Sequence, residues 1–112
     1  MRVVTISVNG LKQAADNGFF DWLQQQDADV VCVQDIRGKS YDFDDDIYHP
    51  KGYEVYFLDA EYPEDGGVAI YTRYFPKAIM YGFAYEAADR EGRFIQADFA
   101  NVSIASMLVP CA

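Results

Sequence analysis

The run Val30 to Arg37, VVCVQDIR, constrains this chain more than any other segment: apolar residues follow one another without polar alternation, and a single acid, Asp35, closes the series. A strand wetted on one face alternates. One without alternation is buried on both faces, as in a sheet covered by helices or by a second sheet. Ligands of α/β sheets bind beyond the carboxyl ends of strands, so Asp35 stands first among the candidate functional residues.

The surrounding sequence has the rhythm β-α-β followed by a meander, which implies an α/β fold with a mixed β-sheet, an antiparallel portion and a flanking helix. Val3 to Val8 is β-rich and ends at the turn signal Asn9-Gly10. A helix is expected next, with Asn17 as N-cap and Phe19, Phe20, Trp22 and Leu23 as its core-facing side. Residues 37 to 52 read as a long loop with one turn of helix. Further strands are expected over 53–58, 67–72, 77–82, 93–99 and 102–107, with Asn101 in the last turn.

Composition removes several function classes. The formal net charge is −9, from 18 acids and 9 bases, whereas a free-standing nucleic-acid binder carries a basic footprint. Cys32 lies in the apolar strand and reads as a buried thiol, and Cys111 has no partner at metal-ligand spacing. The amino terminus reads as a strand without the apolar core of a signal peptide, and no run is long enough to span a membrane, so a cytoplasmic location is expected. The acidic stretch Tyr41 to Asp46 fails as a calcium loop, because Ile47 stands where the sharp-turn glycine belongs and Tyr53 where the last acid belongs. His49 has no second ligand at metal spacing and reads as a surface residue. Gly66-Gly67 precedes a strand, not a helix, which fits a hairpin turn better than a phosphate cradle.

A resemblance joins these pieces. Asn9-Gly10-Leu11, Trp22-Leu23, Asp29 to Asp35, Gly66 to Tyr71, Glu91 to Ile95 and Leu108-Val109-Pro110 together resemble the exonuclease III family of the endonuclease/exonuclease/phosphatase superfamily. The resemblance implies a four-layered sandwich, two facing sheets flanked by helices, in chains about twice this length or more. On that basis residues 1–112 form a single partial domain, the first half, ending once the first sheet is laid down. The later catalytic Asp and His motifs of the family fall outside it. An uncovered inner sheet face would follow, and with it self-association of the isolated chain.

The same resemblance assigns site positions. The family's Asn at the end of the first strand is here Ser7, too short to present an amide. Its metal-holding Glu is here Asp35, one methylene shorter, and a Tyr near the end is here Leu108, which has no proton to give. Asn9 matches a position near the metal, with a turn reading equally open, and Arg93 matches a phosphate-contacting arginine or a surface ion-pair partner. Gln34-Asp35 is the form associated with the non-catalytic catabolite repression control (Crc) proteins. The leading expectation is accordingly a post-transcriptional, RNA-binding translational repressor that acts with Hfq on A-rich messenger RNA and needs no cofactor. The alternatives are a Mg2+-dependent exonuclease III or abasic-site endonuclease of DNA repair, and a fragment without independent activity.

Overall fold

The computed structural model describes residues 1–109. Strands β1 (Val3–Ser7), β2 (Val30–Gln34), β3 (Glu54–Leu58) and β4 (Val68–Thr72) form one mixed sheet in the order β1-β2-β4-β3. The β1–β2 pair is parallel, with Val3 opposite Val30 and Ser7 opposite Gln34, while β4 is antiparallel to both β2 and β3. Strands β5 (Ala78–Tyr81), β6 (Phe94–Asp98) and β7 (Ser103–Met107) form a second, antiparallel sheet. The expected strands and the mixed sheet are therefore present.

β2 is buried on both faces, as its sequence demands. Val31 and Val33 join Ala69 and Tyr71 on one face, under Leu11, Ala15, Phe20 and Leu23 of the helical layer and under Phe43 and Tyr48. Val30 and Cys32 join Val68 and Ile70 on the other, against Ile95 and Ala97 of the second sheet. Each fully buried valine or isoleucine contributes about 1.5–3 kcal/mol through removal of apolar surface from water. Val33→Asp would place an unpaired charge in this core and break it.

The second sheet covers the expected bare inner face over β2 and β4 and leaves it open along β1, where Val3, Thr5 and Ser7 are exposed. Ile79, Ile95, Ala97 and Ile104 turn toward the first sheet, and the radius of gyration is 13.0 Å, the value of an ordinary folded chain of this length at about 13 Å. Apolar side chains are also open on the outer face of the second sheet, where Met80, Phe83 and Met107 are exposed and Phe83 stacks on Phe94.

Local departures have local causes. The single helix expected around Asn17 is two short ones, α1 (Leu11–Asp16) and α2 (Phe19–Gln25). Asn17 closes the first, and Gly18, at φ 91°, begins the second. Only glycine takes that left-handed turn without cost. Trp22 lies at the helix rim, 37% exposed and stacked on Phe19, whereas Phe19, Phe20 and Leu23 are core. Residues 37 to 52 hold two 3₁₀ turns, Ser40–Phe43 and Asp46–Tyr48, whose last residues Phe43 and Tyr48 plug the helical side of the core. No helix among the described residues is long and apolar enough to cross a membrane.

Candidate active site

The carboxyl ends of the parallel strands β1 and β2 lie side by side, and the chain leaves both through left-handed turns. Asn9, Asp35 and Arg37 have φ of 52°, 64° and 49°. Such a conformation costs about 1–2 kcal/mol for a residue with a side chain, least for Asn and Asp, so the surroundings must impose it. They do so through the backbone. Asp35 and Ile36 donate their N–H groups to Gly67 O at 2.8 and 3.2 Å, and Arg37 donates to Gly66 O at 2.9 Å. On the other side Gly10 and Leu11 donate to Asp35 O and Ile36 O at 2.8 and 2.9 Å.

Glycine is required where these segments cross. A Cβ at Gly67 would come within 2.7 Å of the Ile36 side chain, and one at Gly92 within 2.9 Å of Gly67 Cα and of the Asp59–Ala60 backbone. A Cβ at Gly66 would overlap the Leu108 side chain. Through these close approaches the Asp35 segment is packed to the start of β6 and the end of β7.

The structure thus brings the sequence-nominated residues Ser7, Asn9, Asp35, Arg93 and Leu108 to one end of the sandwich. Ser7 and Asn9 are exposed there. Asp35 Oδ1 accepts from Arg37 Nε at 2.9 Å, with the acid's side chain 16% exposed. Arg93 precedes β6, pairs with the Glu91 carboxylate and accepts the Leu108 N–H at its carbonyl oxygen at 2.8 Å. Leu108 packs on the apolar side between the sheets.

The other nominated groups lie elsewhere in structural roles. His49 is exposed and its Nε2 is 2.8 Å from Phe43 O. Asp42 accepts the Lys39 N–H, and no group of three or more His, Cys, Asp or Glu side chains gathers at metal-binding geometry among the described residues. Burial pushes the Cys32 thiol up to about 11, which bears out an inert buried cysteine. Gly66-Gly67 lies in the connection between the antiparallel neighbours β3 and β4, as a hairpin reading requires. Cys111 and Pro110 are outside the described residues.

Two features escaped the sequence reading. Gln34 Nε2 donates to Thr5 Oγ1 and to Ser106 Oγ, both at 2.9 Å, and Ser106 Oγ donates to Val33 O at 3.0 Å. The residue before Asp35 is therefore tied to the second sheet. The available signal was a serine on the inward row of β7, between Ile104 and Leu108. The second is Arg37, two residues after the acid.

Chemically, this end offers carboxylates, an amide and guanidinium donors, with no base–nucleophile pair among the described residues. Asp35 and Asn9 are oxygen donors of the type magnesium prefers, and one or two carboxylates with several retained waters suffice for that ion. The donor chemistry fits part of such a site.

Comparison with known protein families matches residues 5–109 to the endonuclease/exonuclease/phosphatase family. The chain belongs to that family. Within it, the chain is 29% identical over 112 residues to a DNA-(apurinic or apyrimidinic site) endonuclease of Dictyostelium discoideum, covering 100% of this chain and 31% of that protein. It is 30% identical over 111 residues to an exodeoxyribonuclease of Bacillus subtilis, covering 98% of this chain and 43% of the relative. The solved structure of an AP endonuclease from Archaeoglobus fulgidus superposes with a TM-score of 0.82 at 26% identity, over 98% of this chain and 42% of that one. The chain therefore spans less than half the length of these relatives.

These relatives overturn the repressor reading, because they are named as DNA nucleases. The physical error lay in letting three departures from the family site, Ser7, Asp35 and Leu108, decide against a nuclease. An aspartate keeps the charge and both donor oxygens, and a left-handed backbone changes where they are carried. The partners attached to that reading, Hfq and A-rich messenger RNA, rested on it alone.

Proposed function

We propose that this chain supplies the first half of a magnesium-dependent DNA-repair nuclease acting at abasic sites or strand ends. The observation that carries the reading is the placement of Asp35: an acid at the carboxyl end of a doubly buried strand, locked from both sides, beside Asn9 and at the same end as Arg93. The names of the Dictyostelium, Bacillus and Archaeoglobus relatives support DNA as substrate.

Magnesium, when bound, would supply positive charge against the oxygens of the scissile phosphate. Asp35 would hold it through a carboxylate oxygen, with Asn9 offering an amide oxygen alongside. Arg93, already oriented by Glu91, would exchange that carboxylate for a phosphate oxygen, an acceptor of the same geometry. Ser7 presents no amide and Leu108 no proton, so the proton transfers of the reaction fall to other residues. The acidic balance gives this half little sequence-independent affinity for DNA.

The test joins this chain to the segment of the Bacillus exodeoxyribonuclease that it does not cover. An abasic-site duplex is then incubated with the joined protein, shown to be folded by a cooperative thermal transition. Incision that is abolished by chelator and restored by magnesium is expected, with Asp35→Asn lowering the rate by about 10²-fold, the scale of a misplaced reacting group. A folded protein that does not cut, or that cuts as well with Asp35→Asn, overturns the proposal.

A further inference from the structure

The Asp35 carboxylate already has a cation beside it. Arg37 Nε lies 2.9 Å from Oδ1, and no other charged group pairs with Asp35 among the described residues. The pairing is built into the turn. Ile36, between the two residues, is fully buried, both flanking residues take left-handed backbone, and the Arg37 N–H is fixed to Gly66 O at 2.9 Å. The two side chains meet because the backbone between them has no freedom.

The second carboxylate oxygen is in a different position. Oδ2 accepts no hydrogen bond among the described residues, and no buried side-chain oxygen lacks a partner, so Oδ2 is open to water. A cation reaching it arrives with a guanidinium already on the same carboxyl group. The acid's side chain is 16% exposed and the arginine's 49%, so Asp35 is the more sheltered partner and screening weakens the pair less than on an open surface.

From this geometry we propose that Arg37 is the resident counter-ion of Asp35 and sets how tightly a divalent cation binds there. The inference rests on the reading of Asp35 as a metal-holding residue. Two effects of Arg37 oppose one another. Its charge repels the ion: a double and a single charge about 5 Å apart lose about tenfold in affinity even at the dielectric constant of water. Its hydrogen bond holds the carboxylate in one rotamer, which favours the ion by a factor of about two or three through side-chain entropy. Repulsion wins. Removing the charge tightens divalent binding, and keeping a charge of other shape does not. Arg37 is in this sense a positioning residue that limits affinity, keeping the acid neutralised until an ion is present.

The experiment measures binding and not activity. Mn2+ is titrated into the purified chain at low ionic strength, with free ion followed by electron paramagnetic resonance. The proteins compared are the wild type, Arg37→Gln, Arg37→Gly, Arg37→Lys, Asp35→Asn, and the double variant Asp35→Asn with Arg37→Gln. Glycine accepts the left-handed backbone without strain, so Arg37→Gly reads out the charge even if glutamine disturbs the turn. The expected result is binding about fivefold tighter for both neutral variants, a wild-type value within twofold for Arg37→Lys, and loss of the gain in the double variant. If neither neutral variant tightens binding while Asp35→Asn weakens it, Asp35 holds the ion and the role given to Arg37 is wrong. Tightening by Arg37→Lys likewise overturns it. If Asp35→Asn leaves Mn2+ affinity unchanged in both backgrounds, the reading of Asp35 falls and takes the inference with it.

Discussion

Strand β2 has an aspartate immediately before its first residue and another immediately after its last, and the two are held in opposite ways. Asp29 uses both oxygens: Oδ2 accepts from the Arg2 backbone N–H at 2.7 Å, and Oδ1 accepts from Tyr74 Oη at 3.3 Å with Arg73 Nη1 at 3.9 Å. The Arg2 N–H above all, with Tyr74 and Arg73 and against the effect of burial, holds its carboxyl below the usual carboxylate range. Asp35 uses one oxygen and one partner. An acid with both oxygens engaged ties chain segments together, whereas one with a single oxygen engaged at a rigid strand end remains free for a ligand.

The comparison breaks most readily at the level of activity. In the joined protein described above, Asp35→Asn is expected to lower incision by about 10²-fold and to leave the thermal midpoint close to wild type. Asp29→Asn is expected to do the reverse, keeping incision and lowering the midpoint. Equal losses of activity in both variants would erase the distinction.

Next in size is the rigidity claimed for the Asp35 end. Gly92→Ala forces a Cβ against three backbone atoms at 2.9 Å with φ at 60°, so a loss of about 2–3 kcal/mol in urea unfolding is expected, from overpacking added to backbone strain. Gly18→Ala, in the left-handed turn at φ 91°, meets nothing within 4 Å and should cost only about 1 kcal/mol, the backbone part. Equal costs at the two positions would show that the crossing of the Asp35, Gly67 and Gly92 segments is looser than described.

A smaller effect separates the two aspartates by pH. A carboxyl lowered in the folded state adds stability that is complete above its unfolded pKa and disappears as pH falls through the folded value. The stability gap between wild type and Asp29→Asn should therefore be constant near neutrality and shrink below the ordinary aspartate pKa. Thermal unfolding from pH 7 down to pH 2.5 measures it, and a gap that widens on acidification would contradict the assigned hydrogen bonds.

The smallest expected signal comes from within β2. With its thiol raised to about 11 by burial, Cys32 should stay unalkylated in the native chain at pH 8 and react at once in denaturant. Peptide mass spectrometry of the residue 30–34 region reads this directly.

Much of this was legible in the residues themselves. The unbroken apolar run of β2 announced two covered faces, and the same reading placed Asp35 at a strand end. The convergence of Asp35 with Arg93 and Leu108 was legible only through the resemblance, because it depends on Gly66, Gly67 and Gly92 allowing distant segments to touch. What covers the inner face was misread for a related reason. Alternation in β6, with Ile95 and Ala97 opposed to Gln96 and Asp98, identifies a strand with one apolar side but not the surface that side meets. The break at Gly18 shows a local limit, since Asn17 and Gly18 satisfy a helix start and a helix end equally well. The repressor reading failed at the finest grain, where the departures at Ser7, Asp35 and Leu108 were given more weight than the charge that Asp35 retains.

The backbone bonds around Asp35 also have a kinetic meaning. The N–H groups of Asp35, Ile36 and Arg37 find their acceptors on Gly66 and Gly67, about thirty residues later in the chain, and Gly67 is in turn backed by Gly92. Closing such loops precedes the contacts that reward them. Before β4 docks, nothing compels two side-chain-bearing residues into left-handed turns, and the acid has no fixed direction. During refolding the Asp35–Arg37 pair should therefore mature late, after β1 and β2 have paired, and a probe on that turn would time the arrival of the native state rather than its beginnings.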